Sequence, residues 1–261
     1  MSLSPEAGEL LAVLCGSVVG FSLALIGGGG SILATPLLLY VVGVRDPHVA
    51  IGTSALAVSA NAFANLLPHA RAGHVRWRAA FVFAAAGVFG AWLGSSVGKA
   101  MDGHRLLALF ALLMLVVAFL MLRGRRGGGA DRYPLPNTLP RLGAVGIGAG
   151  GLAGFFGIGG GFLIVPGLMF ASGMEIINAI GTSLFSVGTF AATTAGNYAA
   201  SGLVDWRIAA EFIGGGVVGG WLGALGAHRL AGTRGALNVV FAGVIVLVAI
   251  YMLYRSSTQG A

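Results

Sequence analysis

Two glycine clusters and a set of neutral hydroxyl and amide side chains are where this chain could do chemistry. The first cluster, Gly27-Gly28-Gly29-Gly30-Ser31, lies in GFSLALIGGGGSILATPLLL, which starts at Gly20. The second, Gly157-Ile158-Gly159-Gly160-Gly161, lies in GGLAGFFGIGGGFLIVPGLM, which starts at Gly150. Gly27 and Gly157, Leu33 and Leu163, and Pro36 and Pro166 all share a spacing of 130. Glycine costs about 1 kcal/mol against alanine inside a helix, so each run interrupts one. A helix that restarts after a break presents unpaired N–H groups and the positive end of its dipole, which suits an anion. Backbone N–H groups at Gly28, Gly29, Gly30 and Ser31, and at Gly159, Gly160 and Gly161, are therefore candidate substrate ligands. They have little side chain to hold a ligand away.

A second set of donors follows each cluster. Ser54, Asn61 and Asn65 are seven and four residues apart, which places them on one helical face, with Thr53 beside them. The matching stretch holds Thr182, Ser183, Thr194 and Asn197, the last three separated by eleven and three. Hydroxyls and amides on such faces bond an oxyanion without bringing a competing charge. The alternative is that they bond neighbouring helices, as Ser, Thr and Asn do in membranes. Repetition favours Thr53, Ser54, Thr182 and Ser183 for the functional role.

The apolar runs hold no carboxylate near their centres. Asp46, Asp102, Glu175, Asp205 and Glu211 all fall at or near run ends. Buried carboxylates mark cation sites and many proton relays, so neutral donors point to an anion instead. His69, His74, His104 and His228 fall in loops or interfaces, and their spread does not resemble a metal site. No nucleophile elbow, HExxH or P-loop occurs, so neither an enzyme nor an ATP-driven pump is expected, and no cofactor is called for. Gly146-Ile147-Gly148-Ala149-Gly150-Gly151 fits the dinucleotide fingerprint formally but lacks the strand and later acid that motif needs. Cys15 is the single cysteine, which leaves no intrachain disulfide or thiol pair.

The elements that position these groups follow from composition. Of 261 residues, 57% are hydrophobic and 9% charged, too few charges to cover a soluble surface. With a mean hydropathy of +0.91, the reading is an all-α integral membrane protein whose first partner is the lipid bilayer. The net charge of +7 sits in short loops between apolar runs and does not call for nucleic acid. Segments are expected at about 8–26, 31–44, 47–67, 78–98 and 106–122, then about 142–156, 161–173, 177–199, 207–227 and 235–254. The pair across 8–44 reads as a broken or re-entrant hairpin with its tip at membrane depth. Asp46-Pro47 reads as an N-cap and first-turn pair, and Pro68 as a stop. Residues 1–9 carry Glu6 and Glu9 and no basic residue, the wrong charge for a secretion signal.

Past the clusters the copy continues at a spacing of 129. Gly52-Thr53-Ser54 matches Gly181-Thr182-Ser183, Gly73-x-Val75-x-Trp77-Arg78 matches Gly202-x-Val204-x-Trp206-Arg207, and Gly90-x-Trp92-Leu93-Gly94 matches Gly219-x-Trp221-Leu222-Gly223. This is an internal duplication, with one membrane repeat in 1–122, an Arg/Gly/Pro linker in 123–141 and a second repeat in 142–261. The linker's five arginines against one aspartate place it in the cytoplasm and the N-terminus outside. Two inverted repeats of about five segments each follow if the broken pair crosses twice or turns back. Crossing once would make them parallel, and the inverted form is adopted. Gly90, Gly94 and Gly98, like Gly215, Gly219 and Gly223, recur every four residues, a close-packing pattern for helices within the subunit or in a homodimer.

The glycine break with its following proline, the Gly-Thr-Ser triplets and the Gly-x-Val-x-Trp-Arg loops together resemble the TauE/SafE sulfite exporter family, also called the 4-toluene sulfonate uptake permeases. The resemblance covers nearly the whole chain. It implies a secondary carrier in the bacterial inner membrane that moves sulfite, organosulfonates such as sulfoacetate, or related sulfur anions. Two other functions fit the residues. An anion channel would show discrete openings under voltage clamp, and a non-transporting scaffold would show no ligand response.

Overall fold

The computed structural model describes residues 5–123, 133, 137–157, 159–230 and 243–254, and the regular elements among them are all helical. In order they are α1 (Pro5–Ile26), a 3-10 stretch (Gly27–Leu33), α2 (Ala34–Leu37), a π turn (Leu38–Val42), α3 (Pro47–Arg71), α4 (Trp77–Ala100), α5 (Gly103–Arg123), α6 (Thr138–Phe156), α7 (Gly161–Ser172), α8 (Ile176–Ala199), α9 (Trp206–Leu230) and α10 (Gly243–Tyr254). Four of these, α3, α4, α6 and α8, are long and apolar enough to cross a bilayer. Most of the linker, 124–132 and 134–136, and the expected start of the last segment near 235 lie outside the described residues.

Carboxylates mark helix starts rather than membrane interiors. The Asp46 carboxylate accepts from the backbone N–H of His48 at 2.7 Å and of Val49 at 3.3 Å, with Pro47 in the first turn. Asp102 caps α5 through Arg105 N–H at 3.1 Å, and Asp205 caps α9 through Arg207 and Ile208 N–H at 3.1 and 3.0 Å. Each occupies an orphan donor that a helix start would otherwise leave open.

Two boundaries differ from expectation. Pro68 does not stop α3, which continues through it to Arg71. The proline loses its own N–H and crowds the carbonyl one turn back, yet the next turn still closes, with Ala72 N–H on Pro68 O at 3.0 Å. The helix ends instead where Gly73 takes φ +75, a left-handed conformation that spares glycine a Cβ clash, and His74 N–H reaches back to His69 O at 3.0 Å. The same closure recurs in α8, with Gly202 at φ +71 and Leu203 N–H on Tyr198 O at 3.0 Å. Helix α6 starts at Thr138 rather than 142, because Pro140 falls in its first turn, where an N–H has no partner to lose.

The helices pair across the two halves. On α4, Gly90, Gly94 and Gly98 lie against the carbonyls of Ile147, Gly151 and Phe155 of α6, each so closely that a Cβ would overlap them. On α9, Gly215, Gly219 and Gly223 lie in the same way against Val13, Ser17 and Phe21 of α1. Both series advance in step, so α4 runs parallel to α6 and α9 parallel to α1. Asn61 and Asn65 face Gly216 and Gly220, so α3 also runs with α9. Gly87 faces Phe190, and Asn197 donates to Ser95, so α8 runs with α4. Since α1 and α3 point the same way, the segment Gly27–Val42 between them runs back along α1, where Gly30 packs on Ser22 and Leu23. By the same geometry, α7 runs back between α6 and α8.

Helices α3 and α8 form the centre. Their apolar windows are 72% and 61% buried, against 39% for α4 and α6. They are antiparallel, because the start of each helix bonds the loop that follows the other. Large apolar side chains on the outer helices, including Phe89, Trp92, Phe119, Phe170, Trp221 and Leu247, are exposed as a lipid-facing surface requires.

Candidate functional site

The repeated Gly-Thr-Ser triplets are the joints of the central pair. Thr53 Oγ1 accepts from the Asp205 backbone N–H at 2.9 Å, and Thr182 Oγ1 accepts from the Arg76 N–H at 3.0 Å. Asp205 and Arg76 are themselves 129 residues apart. Beside them, Gly52 lies against the Leu203 carbonyl and Gly181 against that of His74, where a Cβ would collide. One contact is thus made twice, once at each end of the pair. Ser59 adds a bond near the middle, donating to Gly188 O at 2.9 Å.

The second glycine break reaches that middle. A Cβ on Gly159 would stand 3.2 Å from Val58 of α3 and from Val187 and Ala191 of α8. Val58 and Val187 lie halfway along their helices and correspond by the repeat spacing. The 3-10 stretch Gly27–Leu33 packs on both α7 and α8, which brings the two breaks together. They are built differently. Gly159 and Gly160 turn through φ +65, conformations other residues avoid, before α7 starts with no side chain capping it. Its first turn closes through Leu163 and Ile164 N–H on Gly160 O at 2.9 and 3.1 Å. The first break instead tightens into seven residues of 3-10 helix that hold Gly28, Gly29, Gly30 and the fully buried Ser31. Such long 3-10 runs, like the π turn after it, are uncommon and tend to mark functional segments.

The hydroxyl and amide candidates separate into distinct roles. Ser54 donates to Ile51 O at 3.0 Å and is bonded to Thr35 at 2.8 Å, a strap from α2 to α3. Its counterpart Ser183 donates to Ile180 O at 2.7 Å, but the residue matching Thr35 is Val165, so that strap has no twin. Thr194 donates back to Phe190 O at 3.0 Å. Asn197 leaves the centre and donates to Ser95 and Ser96 of α4 at 2.6 and 3.0 Å. Asn61 and Asn65 remain: both are buried, Asn61 with its amide nitrogen and oxygen unpaired and Asn65 with its nitrogen unpaired. A buried polar group left without a partner costs about 1–3 kcal/mol. The amides rest on Gly216 and Gly220, which the sequence reading passes over in favour of the neighbouring packing stripe. The doubled Gly215-Gly216 and Gly219-Gly220 are the signal for them, since a single packing stripe uses only one of each pair.

Among the described residues no group of three or more His, Cys, Asp or Glu side chains could hold a metal ion. Buried helices, central broken segments and neutral donors define the class as a multi-pass, all-helical membrane protein. The family described as "Sulfite exporter TauE/SafE" matches residues 12–252, and the chain belongs to it. A probable membrane transporter protein of Xylella fastidiosa (strain 9a5c) is 57% identical over 251 residues, covering 95% of both chains. The probable membrane transporter protein YunE of Bacillus subtilis is 27% identical over 94% of this chain and 97% of its own. A third, from Haemophilus influenzae, is 29% identical over 67% of this chain and 68% of its own. No solved structure matches. The chain is thus a membrane transporter of the sulfite exporter type.

Proposed function

We propose that this chain carries a small sulfur-containing anion, sulfite or an organosulfonate such as sulfoacetate or a taurine-derived product, across a bacterial inner membrane by alternating access. In this reading residues 1–122 and 142–261 are inverted repeats, and the linker 123–141 is cytoplasmic with the N-terminus outside. The observation that carries it is the second break at the midpoint of α3 and α8, where Gly159 lies against Val58 and Val187, with the first break packed beside it on α7 and α8. Broken segments from two repeats that converge at membrane depth form the substrate sites of secondary carriers. The start of α7, uncapped by any side chain, supplies dipole and N–H groups of the sign an oxyanion needs. Thr53 and Thr182 join the two halves at opposite ends of the central pair, as a carrier that opens first to one side and then to the other requires.

The test is a thermal-shift screen of purified protein against sulfite, sulfate, thiosulfate, taurine and sulfoacetate, followed by flux into proteoliposomes. A ligand at 100 times its Kd stabilises the folded state by about 2.7 kcal/mol. Stabilisation by at least one sulfur anion and saturable flux of the same anion are expected. A flat response across the panel, or discrete single-channel openings, would overturn the carrier reading.

A further inference from the structure

We infer that the two halves are unequal, and that the ligand is held in a carboxamide cradle formed by Asn61 and Asn65 of α3 on the bare backbone of Gly216 and Gly220 in α9. The choice of sulfur anions as probes rests on the function proposed above, but the cradle rests on the structure alone. Asn61 is fully enclosed with neither amide atom bonded, and Asn65, 4% exposed, has an idle nitrogen. A side chain at Gly216 would collide with the Asn61 amide, and one at Gly220 with that of Asn65. The two amides stand one helical turn apart, about 6 Å along α3.

The other half fills the equivalent place with an apolar group. The spacing of 129 maps Asn61 onto Phe190, Asn65 onto Thr194, Gly216 onto Gly87 and Gly220 onto Ala91. There the Phe190 ring fills the space over Gly87, and the Thr194 hydroxyl is spent on Phe190 O at 3.0 Å. Phe190 also stacks on Phe83, with ring centroids 6.0 Å apart. One helix pair therefore sets idle amides over its glycines, and its twin sets an aromatic ring over Gly87.

The cradle also specifies what it takes. A carboxamide presents two donors and an acceptor whichever way it is turned. Asn61 has both kinds idle, so its partner must give as well as receive a hydrogen bond. An anion with only acceptors leaves the amide oxygen unmet. The ligand class is a small sulfur anion with its own O–H or N–H, a hydroxy- or aminosulfonate or hydrogen sulfite.

Isethionate and ethanesulfonate share a skeleton and differ in one hydroxyl, so they test this on the purified full chain. Wild type should bind isethionate about tenfold more tightly, the worth of one such bond. Asn61→Leu should erase that preference and weaken isethionate by at least about tenfold. Without ligand it should melt at or above wild type, since an idle buried amide has been replaced by an apolar group. Phe190→Leu should melt lower yet keep the wild-type preference. The inference is overturned by wild type binding both probes equally, by Asn61→Leu retaining isethionate affinity, or by unliganded Asn61→Leu melting below wild type. Phe190→Leu losing the preference would overturn the inequality of the halves. If neither probe binds, the ligand class assigned to the cradle is overturned, and the sulfur-anion panel above decides the proposed function separately.

Discussion

Replacing Thr53 and Thr182 by valine, singly and together, tests whether the repeated triplets hold the two halves to each other. Valine keeps the shape of threonine and removes only the oxygen that accepts from Asp205 N–H at 2.9 Å or Arg76 N–H at 3.0 Å. Both threonines are fully buried, whereas the donors sit in loops of intermediate exposure that water reaches in part. Each loss should therefore fall toward the lower part of the usual 1–3 kcal/mol range, about 1–1.5 kcal/mol. Ser59 bonds opposite Gly188, so Thr53 and Thr182 lie at opposite ends of α3 and α8, about 18 Å apart along the pair. At that distance the effects should add to within about 0.5 kcal/mol, giving roughly 2–3 kcal/mol for the double variant. Equilibrium unfolding in mixed micelles, followed by helical circular dichroism, reads these differences. Thr193→Val is the control, because Thr193 bonds only Thr189 O within its own helix, at 2.8 Å. If either lock variant matches that control, or the double variant loses no more than one single, these hydroxyls do not join the halves.

Three further outcomes follow from the packing and the charge pattern. Gly94→Ala forces a methyl into the Gly151 carbonyl and should lower stability by at least about 1–3 kcal/mol, whereas Gly148→Ala meets nothing within 4 Å and should gain up to about 1 kcal/mol from helix propensity; melting curves of the two compare them directly. Asp46→Ala leaves the N–H groups of His48 and Val49 uncapped and should cost about 1 kcal/mol, while Asp46→Asn should recover most of it in the same unfolding assay. A cysteine at Gly128 in a Cys15→Ala background should resist membrane-impermeant thiol reagents in intact cells, and labelling from outside would reverse the proposed orientation.

The Asp46 cap and the two breaks could be read in the sequence, because each is a local pattern of residue types. What the triplets do could not. Thr53 and Ser54 look alike as buried hydroxyls, yet Thr53 reaches across to the other half while Ser54 bonds Ile51 of its own helix and Thr35. That distinction exists only once α3 and α8 are laid antiparallel. The polar stripes show a second limit. Steps of seven and four keep Ser54, Asn61 and Asn65 within a narrow arc, but the three-residue step from Thr194 to Asn197 turns about 60° back around the helix. That turn carries Asn197 toward Ser95 and Ser96 of α4 and away from the centre. The same geometry changes what a glycine substitution can reveal. Gly160→Val is the natural test of a backbone anion site when only the sequence is in view. With Gly160 at φ +65 and its Cβ position overlapping Ala153, valine there would disturb the break whether or not an anion binds. Ligand recognition is better tested at Asn61, where an idle amide can be replaced without disturbing a backbone that only glycine can form.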